Sequence, residues 1–300
     1  MEVIDGDFLN SDGTSFTVAP GFLEGDWGSS AIGWVGDPLQ PAPDSLQVRW
    51  FSYPEDKFYE GKFLLPQQRL YGLLKQGYWN TDEKKQVTYD ELTLCLLPTG
   101  VVVLWLTGQN QVLVGRYQGH EIHYDFKRFN AGADRARMIA QERGKLPAAV
   151  QQQIKTHTIS TKRWDNYLKT YTWKVAFSKP VELASYGVDY VNAESTAYPP
   201  SPDMAGYLKA ALAARPQPVP SKILLRVDAG YGRKRTLKVT FADEAETMAA
   251  FAALHARSPN QPLTLYFDTD EPVSKVRVLL KNDSQQLELT KAKIEVYAAH

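Results

Sequence analysis

The sequence reads as an α+β protein built from two related lobes, each an antiparallel sheet with one packed helix. Three observations carry that reading. Short segments with alternating apolar and polar residues, bounded by Gly, Pro, Asn and Asp, recur along most of the chain, as half-buried strands require. Only a few segments show helical spacing. Finally, one order of elements, ββαβββ, occurs twice at nearly constant separation.

The first copy opens with "LQVRWFSYPEDKFYEGKFLLP", Leu46 to Pro66. Alternation sets Leu46, Val48 and Trp50 against Gln47, Arg49 and Phe51, and Pro54-Glu55-Asp56 are turn residues, so this stretch is a β-hairpin. A helix follows from Pro66 to Gly77, with Leu70, Leu73 and Leu74 on one side, a proline near its start and a glycine at its end. Three strands come next, Glu91 to Leu97, Val101 to Thr107 and Gln111 to Tyr117, joined by Pro-Thr-Gly and Gly-Gln-Asn turns. "VVVLWL" at Val101 to Leu106 reads as a strand buried on both faces, and is far too short to span a bilayer.

The second copy repeats the order. Lys222 to Ala229 and Lys234 to Phe241 form a hairpin, Ala242 to Ala256 a helix, and "PLTLYF", "VSKVRVLL" and "QLELTKAKIEV" three strands. Leu46 and Lys222 are 176 residues apart, Lys57 and Lys234 177, Leu92 and Leu263 171, and Gln111 and Gln285 174, which points to internal duplication. The domain organisation expected is therefore an irregular lead-in over 1–45 with short strand-like pieces around Val3 to Phe8 and Ser15 to Val18, a first lobe over 46–132, a helical and proline-rich connector with one strand (Thr170 to Phe177) over 133–221, and a second lobe over 222–300. The proline-rich "AYPPSP" and "RPQPVPS" mark the boundary.

Composition narrows the function. Lys plus Arg and Asp plus Glu number 34 each, so no global field draws nucleic acid or an anionic membrane. Cys95 is the single cysteine, which excludes an intrachain disulfide and a cysteine-rich metal site. Its setting, "LTLCLLP", is that of a buried structural thiol. No Gly-x-Ser-x-Gly elbow, Ser-x-x-Lys, Walker loop or dinucleotide fingerprint occurs. His120 and His123 in "GHEIHYD" fall on opposite faces of a strand, and "GYGRKR" at Gly230 to Arg235 is a hairpin turn before it is a phosphate loop. No cofactor or metal is expected, and no catalytic residue. The alternatives are a hydrolase using Glu55 or Asp56, and an envelope binding module for a glycan or lipid. Trp50, Trp105 and Trp173 belong in the core, whereas Trp27, Trp34 and Trp79 lie in polar or Gly-rich loops.

One stretch says more than its periodicity. "PDSLQVRWFSYPEDKFY", preceded by "VIDGDF" and by Gly33-Trp34, resembles the signature of a family of uncharacterised bacterial proteins grouped as a domain of unknown function. The matching positions are Asp44, Ser45, Leu46, Trp50, Ser52, Glu55 and Tyr59. Many members are lipoproteins encoded near type VI secretion effectors, lipase toxins among them. The resemblance therefore implies a non-catalytic immunity protein of a Gram-negative bacterium that binds and neutralises such a toxin. The lipid-attachment leader of many members does not precede "MEVIDGDF". A periplasmic or envelope location is expected if a leader was trimmed, and a cytoplasmic one for the sequence as it stands. The partner surface expected is Asp26, Trp27, Trp34 and Asp37 of the lead-in together with Tyr53, Glu55 and Asp56 at the hairpin tip, because interfaces concentrate energy in aromatic anchors while charged loops add steering.

Overall fold

The computed structural model describes residues 1–23, 25–29, 41–228, 230, 233–270 and 273–298. It is an α+β fold of two compact units, Met1–Gly77 with Thr88–Trp164, and Tyr78–Val87 with Asp165–His300.

The first unit begins with β1 (Glu2–Leu9), β2 (Ser15–Thr17) and β3 (Gly21–Phe22), then the hairpin β4 (Ser45–Ser52) and β5 (Lys57–Leu64), and helix α1 (Gln67–Gln76). The short hairpin β6 (Tyr78–Asn80) and β7 (Lys85–Val87) belongs to the other unit. There Trp79 N–H donates to Pro199 O at 2.7 Å, and Tyr78 stacks on Tyr198. β8 (Glu91–Leu97), β9 (Val101–Thr107), β10 (Gln111–Gln118) and β11 (His120–Ile122) return to the first unit. After them come α2 (Phe126–Phe129), α3 (Arg135–Gly144), α4 (Ala148–Lys155) and α5 (Lys162–Tyr167). The sheet order is β11-β5-β4-β1-β2, antiparallel throughout, with β3 also on β1, while β8-β9-β10 is an antiparallel meander. β9 is buried over all of Val101 to Leu106, as its unbroken apolar run predicts.

The second unit continues with β12 (Thr170–Phe177), β13 (Glu182–Tyr190), β14 (Ser195–Thr196), α6 (Met204–Ala211) and β15 (Arg215–Pro218). The hairpin β16 (Pro220–Asp228) and β17 (Lys234–Phe241) follows, then α7 (Glu244–Arg257), β18 (Leu263–Thr269), β19 (Val276–Lys281), β20 (Gln286–Glu288) and β21 (Ala292–Ala298). Its strands run β21-β17-β16-β13-β14 and β15-β12-β18-β19-β20, with β12 and β18 parallel. The prolines of Arg215–Pro218 sit on an edge strand, where a missing N–H costs least.

The two orders match strand for strand, β11-β5-β4-β1-β2 against β21-β17-β16-β13-β14 and β8-β9-β10 against β18-β19-β20. The turn after β1 supports the match in atomic detail. Asn10 N–H donates to Thr14 O (2.9 Å), Gly13 N–H to Asn10 O (3.0 Å) and Thr14 N–H to Asp12 Oδ1 (2.9 Å). At 180 residues further on, Tyr190 N–H donates to Glu194 O (2.9 Å), Ala193 N–H to Tyr190 O (3.0 Å) and Glu194 N–H to Asn192 Oδ1 (3.1 Å). Gly13 and Ala193 both hold positive φ, 86° and 66°, which is the left-handed geometry this turn imposes even on alanine.

Several expectations need correcting. The lead-in is more regular than expected: its strand-like pieces around Val3 to Phe8 and Ser15 to Val18 are β1 and β2, and Glu2–Leu9 pairs with β4 from Ser45 to Phe51, with Asp5, Gly6 and Asp7 pointing outward or packing tightly. The connector likewise holds β13, the neighbour of β16. "QLELTKAKIEV" is two strands. Ala292 N–H turns back on Leu289 O, so β20 stays on β19 while β21 crosses to β17, and the repeated unit is longer than ββαβββ. The burial pattern also aligns Leu46, Val48 and Trp50 with Ile223, Leu225 and Val227, a separation of 177 rather than 176, because one residue of slip exchanges the faces of a strand.

Candidate functional site

The β4–β5 tip is where the expected site residues gather, and it is built from the turn outward. Ser52 and Lys57 close the ladder, leaving Tyr53 to Asp56 as the loop, and Asp56 takes the left-handed conformation (φ 57°) that Asp tolerates better than most residues. The Glu55 carboxylate then ties the loop together. It accepts from Ser52 Oγ (2.8 Å), from the Tyr59 hydroxyl (3.0 Å) and from Thr99 N–H (3.0 and 3.1 Å to its two oxygens). Thr99 lies in the turn Pro98–Gly100, whose Thr99 carbonyl is taken by Gln118 Nε2 at 2.7 Å. That turn approaches the hairpin closely only because Gly100 and Gly119 lack side chains. A Cβ on Gly119 would stand 2.7 Å from the Trp50 ring and 2.8 Å from Glu60 O.

Asp56 faces Arg135 at the start of α3, with Arg135 Nε to Asp56 Oδ1 at 2.8 Å and a second guanidinium nitrogen to Asp56 O at 3.1 Å. The same guanidinium lies 5.3 Å over the Phe126 ring and 5.8 Å over those of Phe51 and Phe58. Asp134 caps α3 by accepting from Arg137 N–H (3.1 Å), and Arg143 near its other end donates to Tyr53 O at 3.0 Å. α2 and α3 thus contribute Phe126 and Ile139 to a hydrophobic cluster with Phe51, Tyr53 and Phe58 of the hairpin. The Tyr53 hydroxyl donates to the Glu2 carboxylate, and burial followed by that bond pushes its titration far above the usual phenol range. Burial likewise raises Tyr59, with the Glu55 charge adding to it.

The structure therefore unites Tyr53, Glu55 and Asp56 but gives each a partner within its own chain. Asp26 and Trp27 are placed differently. Asp26 is exposed and its carbonyl accepts from Ser29, while Trp27 stands edge-on to the buried Trp105 ring (4.8 Å, 85°), a flap over the core. Trp34 and Asp37 lie outside the described residues. The lead-in reaches the tip instead through Phe22, which is 42% exposed and stacks on Tyr53 at 5.4 Å. Phe22, Arg135 and Arg143 escaped sequence reading because they meet the tip from 31 to 90 positions away. The only local hint was the Asp134 cap preceding a basic helix. His120 is exposed, with its Nε2 3.5 Å from Glu60, and among the described residues no group of three His, Cys, Asp or Glu gathers to hold a metal. Nor is any described helix long and apolar enough to cross a membrane.

Comparison with known proteins gives one family model, described as a protein of unknown function (DUF2931), which matches residues 1–162. No curated protein and no solved structure matches.

Proposed function

The chain belongs to the DUF2931 family, and we propose that it is a non-catalytic immunity protein that binds and blocks a toxin delivered by a type VI secretion system, a phospholipase or lipase effector. The proposal rests on the resemblance of "PDSLQVRWFSYPEDKFY" to proteins encoded beside such effectors. One structural observation supports it: both oxygens of Glu55 and the Asp56 carboxylate are engaged by donors of the chain itself, which suits a fixed platform better than a general acid or base. A loop already held in place loses little entropy on binding, and the exposed Phe22 ring beside it is an aromatic anchor of the kind inhibitory interfaces use.

Co-expression with the effector encoded beside its gene, followed by pull-down and a lipase assay, tests the proposal. A stable complex with suppressed lipase activity is expected. Absence of both would overturn it, and so would lipid or glycoside turnover by this chain alone that Glu55→Gln abolishes. Replacing the exposed Asp26 by Lys and Phe22 by Ser is expected to weaken the complex by about thirtyfold or more, the scale of a 2 kcal/mol anchor. Fractionation of the native host is expected to place the protein in the envelope, where the toxin arrives.

A further inference from the structure

Two edge strands of the second unit are blunted, as natural edges are, because a row of unpaired N–H and C=O groups recruits another strand. β15 carries Pro216 and Pro218, and β20 has only three residues. β21 is different. It runs for seven residues without proline, keeps an unbroken register with β17 from Ala292 to Ala298, and is half-buried or exposed at every position.

Which groups of β21 face outward follows from the sheet, since hydrogen-bonded and non-bonded positions alternate along an antiparallel pair. Ala292 N–H turns to Leu289 O at 3.2 Å, so Ala292 and Phe241 are a non-bonded pair. Lys293, Glu295 and Tyr297 therefore bond to β17, and Ile294, Val296 and Ala298 point their N–H and C=O groups away from it. The far side of the sheet fixes the same phase. There the Tyr186 carbonyl turns from β16 to accept from Tyr207 at 2.8 Å, so Leu225 opposite it bonds to Leu237. Val296, opposite Leu237, is then left facing outward. Among the described residues no other hydrogen bond reaches these groups. The side chains end as abruptly: Ile294 and Val296 continue the rows Ile223–Val239 and Leu225–Leu237, whose members are fully buried, yet are themselves only half-buried. On the opposite face the Glu295 carboxylate lies 3.1 Å from Lys238 Nζ and 3.3 Å from Lys293 Nζ.

The charges of this edge complement those of its own copy in one register. Antiparallel pairing must set outward-facing residues opposite one another. With Val296 on the twofold axis, Glu295 falls opposite Tyr297 of the second copy, and with Ile294 opposite Val296 the two Glu295 carboxylates oppose each other. With Ile294 opposite Ile294, Lys293 stands across from Glu295 twice by symmetry, in the non-bonded positions where side chains approach most closely. The same register carries the apolar rows on from one copy to the other. We propose that the β21 edge is a self-association surface on which a second copy of this chain pairs antiparallel about a twofold axis at Ile294, joining the two β21-β17-β16-β13 sheets into one. The surface lies in the second unit, beyond the residues matched by the family, and does not depend on the toxin-binding proposal.

Sedimentation velocity of the full chain over a concentration series tests it. One strand edge is a small interface, so a reversible dimer forming over about 10–100 μM is expected. Ile294→Pro removes the two central N–H donors, which bond to nothing within the chain, and should abolish the dimer. Lys293→Glu and Glu295→Lys each set like charges opposite one another at two places, and each should weaken self-association about tenfold or more. Mixed together, these two variants regain both opposite-charge pairs and should associate at least as tightly as the wild type. Lys293 is exposed, so Lys293→Glu keeps the test valid should the proline variant misfold. A monomer at every concentration, a dimer that Ile294→Pro or Lys293→Glu leaves intact, or a mixture that associates no better than either variant alone overturns the proposal.

Discussion

Removal of the Glu55 carboxylate is expected to destabilise the protein sharply even though Glu55 occupies a loop. Three donors converge on it, the Ser52 hydroxyl, the Tyr59 hydroxyl and Thr99 N–H. In Glu55→Ala, Thr99 is exposed and finds water, whereas Ser52 and Tyr59 are buried and are left with orphaned hydroxyls. At about 1–3 kcal/mol for each orphan, the loss is about 3 kcal/mol. For a domain of this size that lowers Tm by roughly 6–12 °C, taking about 2–4 °C per kcal/mol. Glu55→Gln keeps one acceptor oxygen but turns an amide donor toward other donors, so about half the loss is expected. Calorimetry on the three proteins measures it. A Tm for Glu55→Ala within about 2 °C of wild type, the shift of less than 1 kcal/mol, would refute the clamp, as would a glutamine variant less stable than the alanine one.

Arg135→Gln removes the Asp56 ion pair and three ring contacts and should cost about 1–2 kcal/mol in urea unfolding, with the ion-pair share shrinking in 1 M salt. Gly119→Ala forces a methyl against the fully buried Trp50 and the Glu60 carbonyl, and should lower stability by about 1–3 kcal/mol in the same assay. The Glu295 carboxyl is held down to about 2, chiefly by its hydrogen bond from Lys238, so its contribution is complete above pH 4.5 and is lost as pH falls from there toward 2. Lys238→Ala should bring its NMR titration back toward 4.5. Burial pushes the Cys95 thiol up to about 11, so a disulfide reagent at pH 8 should react slowly with the folded protein and rapidly once it is unfolded.

By itself the sequence determined the parts whose cause is local. The β4–β5 hairpin, α1 between Pro66 and Gly77, and the strands β8 and β9 follow from alternation, helical spacing and turn residues within a few positions, and the structure places them at or within a residue or two of the expected ends. The core placement of Trp50, Trp105 and Trp173 was legible for the same reason, since an aromatic on the apolar face of a strand has nowhere else to go. Tertiary structure alone decided what pairs across distance. β1 became the neighbour of β4, β21 left β20 for β17, and Glu55 met Thr99 where the sequence showed only an acidic turn. Those outcomes depend on which edge is open and which buried donor lacks an acceptor once the sheets have closed. Neither condition is written in any short window of the chain.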